Sequence, residues 1–234
     1  MEKRSLRSPF FVVNPKAFLY GEAAVALAKH ADALAGQYGF DILFTAQHVD
    51  LVSIKQATKN LIVTAQHMDG LKPGSGMGHI LPDALKAAGV EAVFLNHAEH
   101  PMSTSALAKA MARADELGIL TIVCADTVEE AKAIAMLRPD VMVCEPTSLI
   151  GTGKVSDRSY MTSTNEAVKS VSPTTRVLQA AGISNGQNVY DAIMSGADGT
   201  GGTSGIVAAK DPFATLTEMI EALDRARSKL KKGE

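Results

Sequence analysis

The chain has 234 residues, 46% of them apolar, a formal net charge of −2, and few aromatic residues with no Trp among them. That length can bury a large core, enough for one α/β barrel or for one to two smaller domains. The near-neutral charge excludes a global bias toward nucleic acid or anionic membranes, and the scarcity of aromatics argues against platforms for stacking single-stranded bases.

Residues 1–8 carry Lys3, Arg4 and Arg7 and read as a flexible extension. The Phe10–Val13 apolar run behind them is too brief for the core of a signal peptide. No run approaches the ~18 apolar residues of a membrane span. Short β-branched runs then alternate with helical patterns. Strands are expected at Phe10–Asn14, Asp41–Thr45, Leu61–Gln66, Ala92–His97, Ile119–Ala125, Asp140–Glu145, Arg176–Ala181 and, with a weak glycine-rich pattern, Ala197–Gly201. Apolar stripes at helical spacing include Ala24, Leu27, Ala31 and Leu34, then Leu107, Ala110, Ala114 and Leu117, and finally Leu216, Met219, Ile220 and Leu223. Gly39, Gly89, Gly118 and Gly196 stand where helices should stop. Eight strand–helix units of roughly 20–35 residues predict a single (β/α)8 barrel over residues 1–234, eight parallel strands inside a ring of helices. Periodicity does not show closure, so a doubly wound open sheet is the alternative. The basic run near the C-terminus reads as a solvated helix end.

In a parallel barrel, function gathers at the C-terminal ends of the strands. Those ends carry Asn14 and Lys16, Gln66 and His67, Asn96, His97 and Glu99, Cys124 and Asp126, and Glu145, followed by glycines near 182 and 201–202. Lys, His and Glu on separate strands supply a cation, an acid or electrophile, and a base. Glycines expose backbone N–H groups to an anion. The set points to chemistry on a small phosphorylated substrate. Each residue alone has a plainer reading: Glu145 as a solvated loop residue, His97 as a packing histidine, Lys16 as surface charge, Asn14 before Pro15 as turn chemistry. Asp126 reads as approaching or capping the helix that begins near Thr127. His67 and His79 lack a clustered ligand set, so no metal is expected. Cys124 and Cys144 read as small packing residues, with Cys144 on the strand face opposite Glu145. Their spacing suits neither a disulfide framework nor a metal, and a reducing cytoplasm is the expected setting. Gly199–Gly205 is not a nucleotide-binding P-loop, because no Gly-Lys-Ser/Thr closes it.

Taken together, Asn14-Pro-Lys16, Ala65-Gln-His67, Lys72-Pro-Gly-Ser75 with Gly78-His79, Leu95-Asn-His-Ala-Glu99, Val123-Cys124, Val143-Cys-Glu-Pro146, Leu149-Ile-Gly-Thr-Gly153 and Ala181-Gly-Ile-Ser184 resemble the triosephosphate isomerase family in its short archaeal-type form. The resemblance runs from about Phe10 to Pro212. It implies a cofactor-free aldose–ketose isomerase acting on a small sugar phosphate, without nucleic acid or membrane partners, as a homo-oligomer such as a dimer or tetramer. By position it makes Glu145 the base, His97 the hydrogen-bond donor to the carbonyl and enediolate, and Lys16 the stabiliser of negative charge. Asn14 would help place the substrate, and Glu99 would hold Lys16. Pro146–Gly153 would be a closing lid. Backbone groups near Ile150, Gly151, Gly182, Gly202, Thr203 and Ser204 would grip the phosphate. A glutamate base beside a neutral histidine under a closing loop is the family's established pairing.

The sequence departs from that pattern at three places. Ala98 stands where the family usually has a serine that contacts the base, and Met77 where it has a threonine that reaches a neighbouring subunit. Gly201-Gly202-Thr203-Ser204 is nearer the bacterial than the archaeal form of the last motif. These departures leave two alternatives: an isomerase of a related, for example four-carbon, sugar phosphate, or a catalytically weak sugar-phosphate-binding homologue.

Overall fold

The computed structural model of the protein describes residues 2–149, 152 and 156–232. Eight short strands run in chain order, β1 (Phe10–Val13), β2 (Ile42–Ala46), β3 (Ile62–Ala65), β4 (Ala92–Leu95), β5 (Leu120–Ala125), β6 (Val141–Cys144), β7 (Arg176–Gln179) and β8 (Gly199–Gly202). Every neighbouring pair is parallel, and β8 pairs with β1 to close the barrel. The open-sheet alternative is therefore set aside. The major outer helices are α1 (Gly21–Tyr38), α2 (Leu51–Ala57), α3 (Pro82–Ala87), α4 (Thr104–Leu117), α5 (Val128–Ala135), α6 (Arg158–Val171) and α7 (Gly186–Met194); a short α8 (Ser204–Val207) precedes the long α9 (Pro212–Lys232).

Both faces of each strand are buried, which is why the strands read as continuous apolar runs rather than alternating ones. Alternate residues serve two cores. Phe10, Val12, Leu43, Ile62, Phe94, Ile122, Val143 and Leu178 fill the barrel interior. Phe11, Val13, Phe44, Val63, Val93, Val123 and Met142 meet the helical stripes outside. A register slip of one residue would exchange the two sets. The weak pattern of β8 has a steric cause. A Cβ on Gly199 would sit 2.5 Å from the Phe10 ring, and one on Gly201 would sit 2.2 Å from the Val12 carbonyl oxygen. Bulky residues on β1 occupy the space that side chains on β8 would need.

An acid stands just before each even-numbered strand: Asp41, Glu91, Asp140 and Asp198. Residues 2–8, expected as a flexible extension, lie across this floor. Leu6 is 2% exposed and packs into the interior set. Lys3 Nζ reaches Asp140 at 2.6 Å, Arg4 reaches Glu91 at 3.0 Å, and Arg7 meets Asp41 at 2.8 Å with both its guanidinium and its backbone N–H. The difference from expectation is physical: three cations that look solvated in the sequence find carboxylates that the strand starts have already placed.

Burial alone would push the Asp41 carboxyl up, but the hydrogen bonds and charge of Arg7, with Arg4, hold it below the usual range. A depressed folded-state value contributes stability above the unfolded carboxylate range, and that contribution is lost as pH falls through the folded value. Asp41→Asn should therefore lower Tm at neutral pH and flatten the decline of Tm between about pH 5 and pH 2. Thermal melts of both proteins across that window check this; parallel curves would contradict it.

Candidate active site

The polar residues noted at strand ends stand just beyond the observed strands, on one rim, except Cys124, which lies within β5. Asn14 follows β1, and Lys16 comes two residues later with φ 49°, a left-handed conformation that non-glycine residues seldom adopt. Three side chains hold this turn. Asn14 Oδ1 accepts the Lys16 N–H at 3.0 Å, while Gln66 and Gln47 donate to the Lys16 carbonyl at 2.7 and 3.4 Å. The Lys16 ammonium then bonds Glu99 Oε1 at 2.9 Å. Gln66 appears among the strand-end residues of the sequence reading; Gln47 does not, because nothing local marks it as reaching a carbonyl across the barrel.

His97 lies two residues past β4, behind Asn96, another left-handed residue (φ 56°) whose amide donates to the Cys124 carbonyl at 3.1 Å. The Glu99 backbone N–H donates to His97 Nδ1 at 3.1 Å. A backbone N–H cannot accept, so Nδ1 is unprotonated and the neutral ring carries its proton on Nε2. Burial, and then the Lys16 charge, push His97 below the ordinary imidazole range, against the opposite pull of Glu99. The 4.0 Å approach of His97 Nδ1 to Glu99 is thus no ion pair at neutral pH.

Glu145 directly follows β6, and its N–H donates to the Ala125 carbonyl at 3.1 Å. Burial pushes its carboxyl up; Lys16 pulls it down and Glu99 pushes it up, and the net shift is upward. Glu99 behaves oppositely. Burial raises it, but the hydrogen bond and charge of Lys16 outweigh burial and hold it low. Two carboxylates beside one lysine therefore have different basicities, set by their surroundings.

Opposite this trio, Gly182 has φ 70° and the turns after β7 and β8 press together. A Cβ on Gly205 would lie 2.2 Å from the Ile183 carbonyl oxygen, and one on Gly202 3.1 Å from it. Short α8 starts there at Ser204. Loops after the seventh and eighth strands with a short extra helix are the usual phosphate end of such barrels. Asn14, Lys16, His97, Glu99, Glu145, Gly182, Gly202, Thr203 and Ser204 line one cleft, floored by Phe94, Val143 and Leu178. Ile150 and Gly151 lie outside the described residues. The arrangement offers a base of raised basicity, a neutral N–H donor, a fixed cation and a glycine-lined end.

A family model described as triosephosphate isomerase matches residues 9–222. The chain belongs to the triosephosphate isomerase family. It is 36% identical over 217 residues to the triosephosphate isomerase of Methanothermus fervidus, covering 91% of this chain and 97% of that one. It is also 36% identical over 225 residues to that of Methanopyrus kandleri (94% and 100%), and 31% identical over 230 residues to that of Sulfurisphaera tokodaii (95% and 100%).

Among the described residues of this triosephosphate isomerase family member, no group of three or more His, Cys, Asp or Glu side chains is arranged to hold a metal. The Cys124 thiol faces the cleft and is pushed up by burial and then by Glu145; Cys144 lies in the outer core, pushed up to about 12 by burial. Both stay protonated and unreactive. The cap of α5 is Thr127, whose hydroxyl accepts the Glu130 N–H at 3.1 Å. Asp126 is therefore not the cap; its carboxylate turns instead to the Thr147 N–H at 2.7 Å.

Ala98 and Glu145 line the same cavity of about 250 Å³. A serine hydroxyl there can donate to the carboxylate and favour its charged form. Ala98→Ser should lower the Glu145 pKa, so the acid limb of kcat/KM moves to lower pH. A pH–rate profile that does not move, or moves upward, would contradict this.

Proposed function

We propose that the protein interconverts D-glyceraldehyde 3-phosphate and dihydroxyacetone phosphate by proton transfer through an enediolate. The Glu145 carboxylate removes the proton from the carbon beside the carbonyl. The C–H electron pair becomes the C=C bond, and the carbonyl oxygen takes the negative charge. The His97 Nε2–H and the Lys16 ammonium stabilise that oxyanion, as preorganised donors do best. Once a proton has passed between the two oxygens, Glu145 returns its proton to the neighbouring carbon. A neutral imidazole suits this role, because it donates a hydrogen bond without surrendering its proton outright. Asn14 and Glu99 keep Lys16 in place. Amides at Gly182, Gly202, Thr203 and Ser204, with Ile150 and Gly151 of the lid, hold the phosphate.

The observation that carries this reading is the convergence of Glu145, His97 and Lys16 on one cleft with a glycine-lined end. A coupled assay with glyceraldehyde 3-phosphate tests it: turnover is expected, and activity no greater than that of a Glu145→Gln control would reject it.

A second substrate reading draws on a recess of about 380 Å³ that continues past Lys16 and is lined by Thr45, Gln47, His48, Gln66, His67 and His100. A longer aldose phosphate could extend into it, and comparing kcat/KM on three- and four-carbon substrates decides. A homo-oligomer fits the family membership, with Met77, fully exposed on the loop after β3, as the residue that departs from the family's usual threonine there. Among the described residues no helix is long and apolar enough to cross a membrane. A cytoplasmic enzyme of glycolysis and gluconeogenesis is the setting that fits this reading.

A further inference from the structure

We propose that Asp126 is a positioning residue for the base, the post that ties both ends of the loop behind Glu145. Three contacts carry the inference. The Asp126 carboxylate accepts the backbone N–H of Thr147, two residues after Glu145, at 2.7 Å. Its carbonyl accepts the Tyr160 hydroxyl at 2.7 Å, from the first turn of α6 where the loop ends. Its own N–H donates to Glu130 Oε2 at 2.8 Å. Glu130 is part of α5 and also approaches the Asn96 amide at 3.4 Å, so the post is anchored on a rigid helix and on the rim next to His97.

The two ends of the loop thus meet at one residue. The Thr147 contact is an N–H to carboxylate bond, shorter and stronger than an amide–amide bond. It fixes the 3-10 turn Thr147–Leu149, and through Pro146 it fixes the direction in which Glu145 leaves β6. Thr127 already caps α5, so the carboxylate has no helix duty to compete with this one. Glu145 carbonyl and carboxylate make no hydrogen bond to Asp126, and the influence passes through the backbone.

The inference rests on the isomerase reading, and the test separates the two. Asp126→Ala, Asp126→Asn, Tyr160→Phe and the parent are compared for kcat, KM, Tm, and affinity for inorganic phosphate and for 2-phosphoglycolate, whose carboxylate mimics the enediolate. Asp126→Ala should lower kcat about 10- to 100-fold, the scale of a base displaced by about an ångström. Its affinity for 2-phosphoglycolate should weaken as well, while its affinity for inorganic phosphate and its Tm stay near those of the parent. Asp126→Asn, which keeps an acceptor oxygen, should recover most of the loss, and Tyr160→Phe should show a smaller deficit of the same kind. Parent-like kcat and analogue affinity in Asp126→Ala would overturn the proposal. So would equal losses in Ala and Asn variants accompanied by parallel falls in Tm and phosphate affinity. A parent without isomerase activity would instead defeat the functional reading.

Discussion

Glu145→Gln is expected to reduce kcat about 10³- to 10⁴-fold, at the upper end of what a positioned general base supplies. Glutamine keeps the size and planarity of the side chain but cannot take a proton from carbon. KM should move little, because the glycine-lined end of the cleft at Gly182, Gly202 and Ser204, proposed above to hold the phosphate, is untouched. The same variant carries a stability signature. Burial raises the Glu145 carboxyl above its ordinary value, so its ionised form at neutral pH is disfavoured in the fold relative to the unfolded chain. Removing the charge should leave Tm equal to or above that of the parent. Low activity with unchanged or higher Tm identifies a group kept for chemistry at the expense of stability. Turnover within tenfold of the parent would remove Glu145 from its role.

Lys16→Met should lower kcat/KM about 10²- to 10³-fold, the scale of losing one preorganised charge stabiliser. The informative part is the pH dependence. The Lys16 charge depresses both His97 and Glu145. Without it both should rise, so the residual activity should lose its acid side at higher pH than in the parent. The Glu99 carboxylate loses its 2.9 Å partner and should also titrate higher. NMR titration of the His97 ring and pH profiles of kcat/KM measure these shifts. An unchanged His97 titration would show that Lys16 does not govern the electrostatics of the site.

Much of the fold was legible because each apolar run stops at a polar residue. Val13 gives way to Asn14 and Cys144 to Glu145, so strand ends and rim residues announce each other. Closure of the barrel was not legible, since β8 reads as a glycine run. The reason for those glycines lies across the chain in Phe10 and Val12. The left-handed turn at Lys16 was equally hidden, because it is imposed by Gln47 and Gln66 from other strands. Local pattern left two readings open at Asp126, capping or approaching the helix start; Thr127 is the cap, and Asp126 stands just before it with its N–H on Glu130. Local pattern misdirected the reading of residues 2–8, whose partners are acids dispersed over 100 residues of sequence. Local signals report backbone periodicity well. They do not report which distant group satisfies a given hydrogen bond.

The central claim is a proton transfer at carbon by Glu145, and isomerisation in D₂O followed by proton NMR tests it most directly. The parent protein should convert glyceraldehyde 3-phosphate to dihydroxyacetone phosphate with solvent deuterium appearing on the carbon that receives the proton, and in Glu145→Gln conversion and exchange should fall together by the same factor of about 10³ to 10⁴. Conversion by the Gln variant at the parent's rate, or no conversion by the parent, would contradict the account.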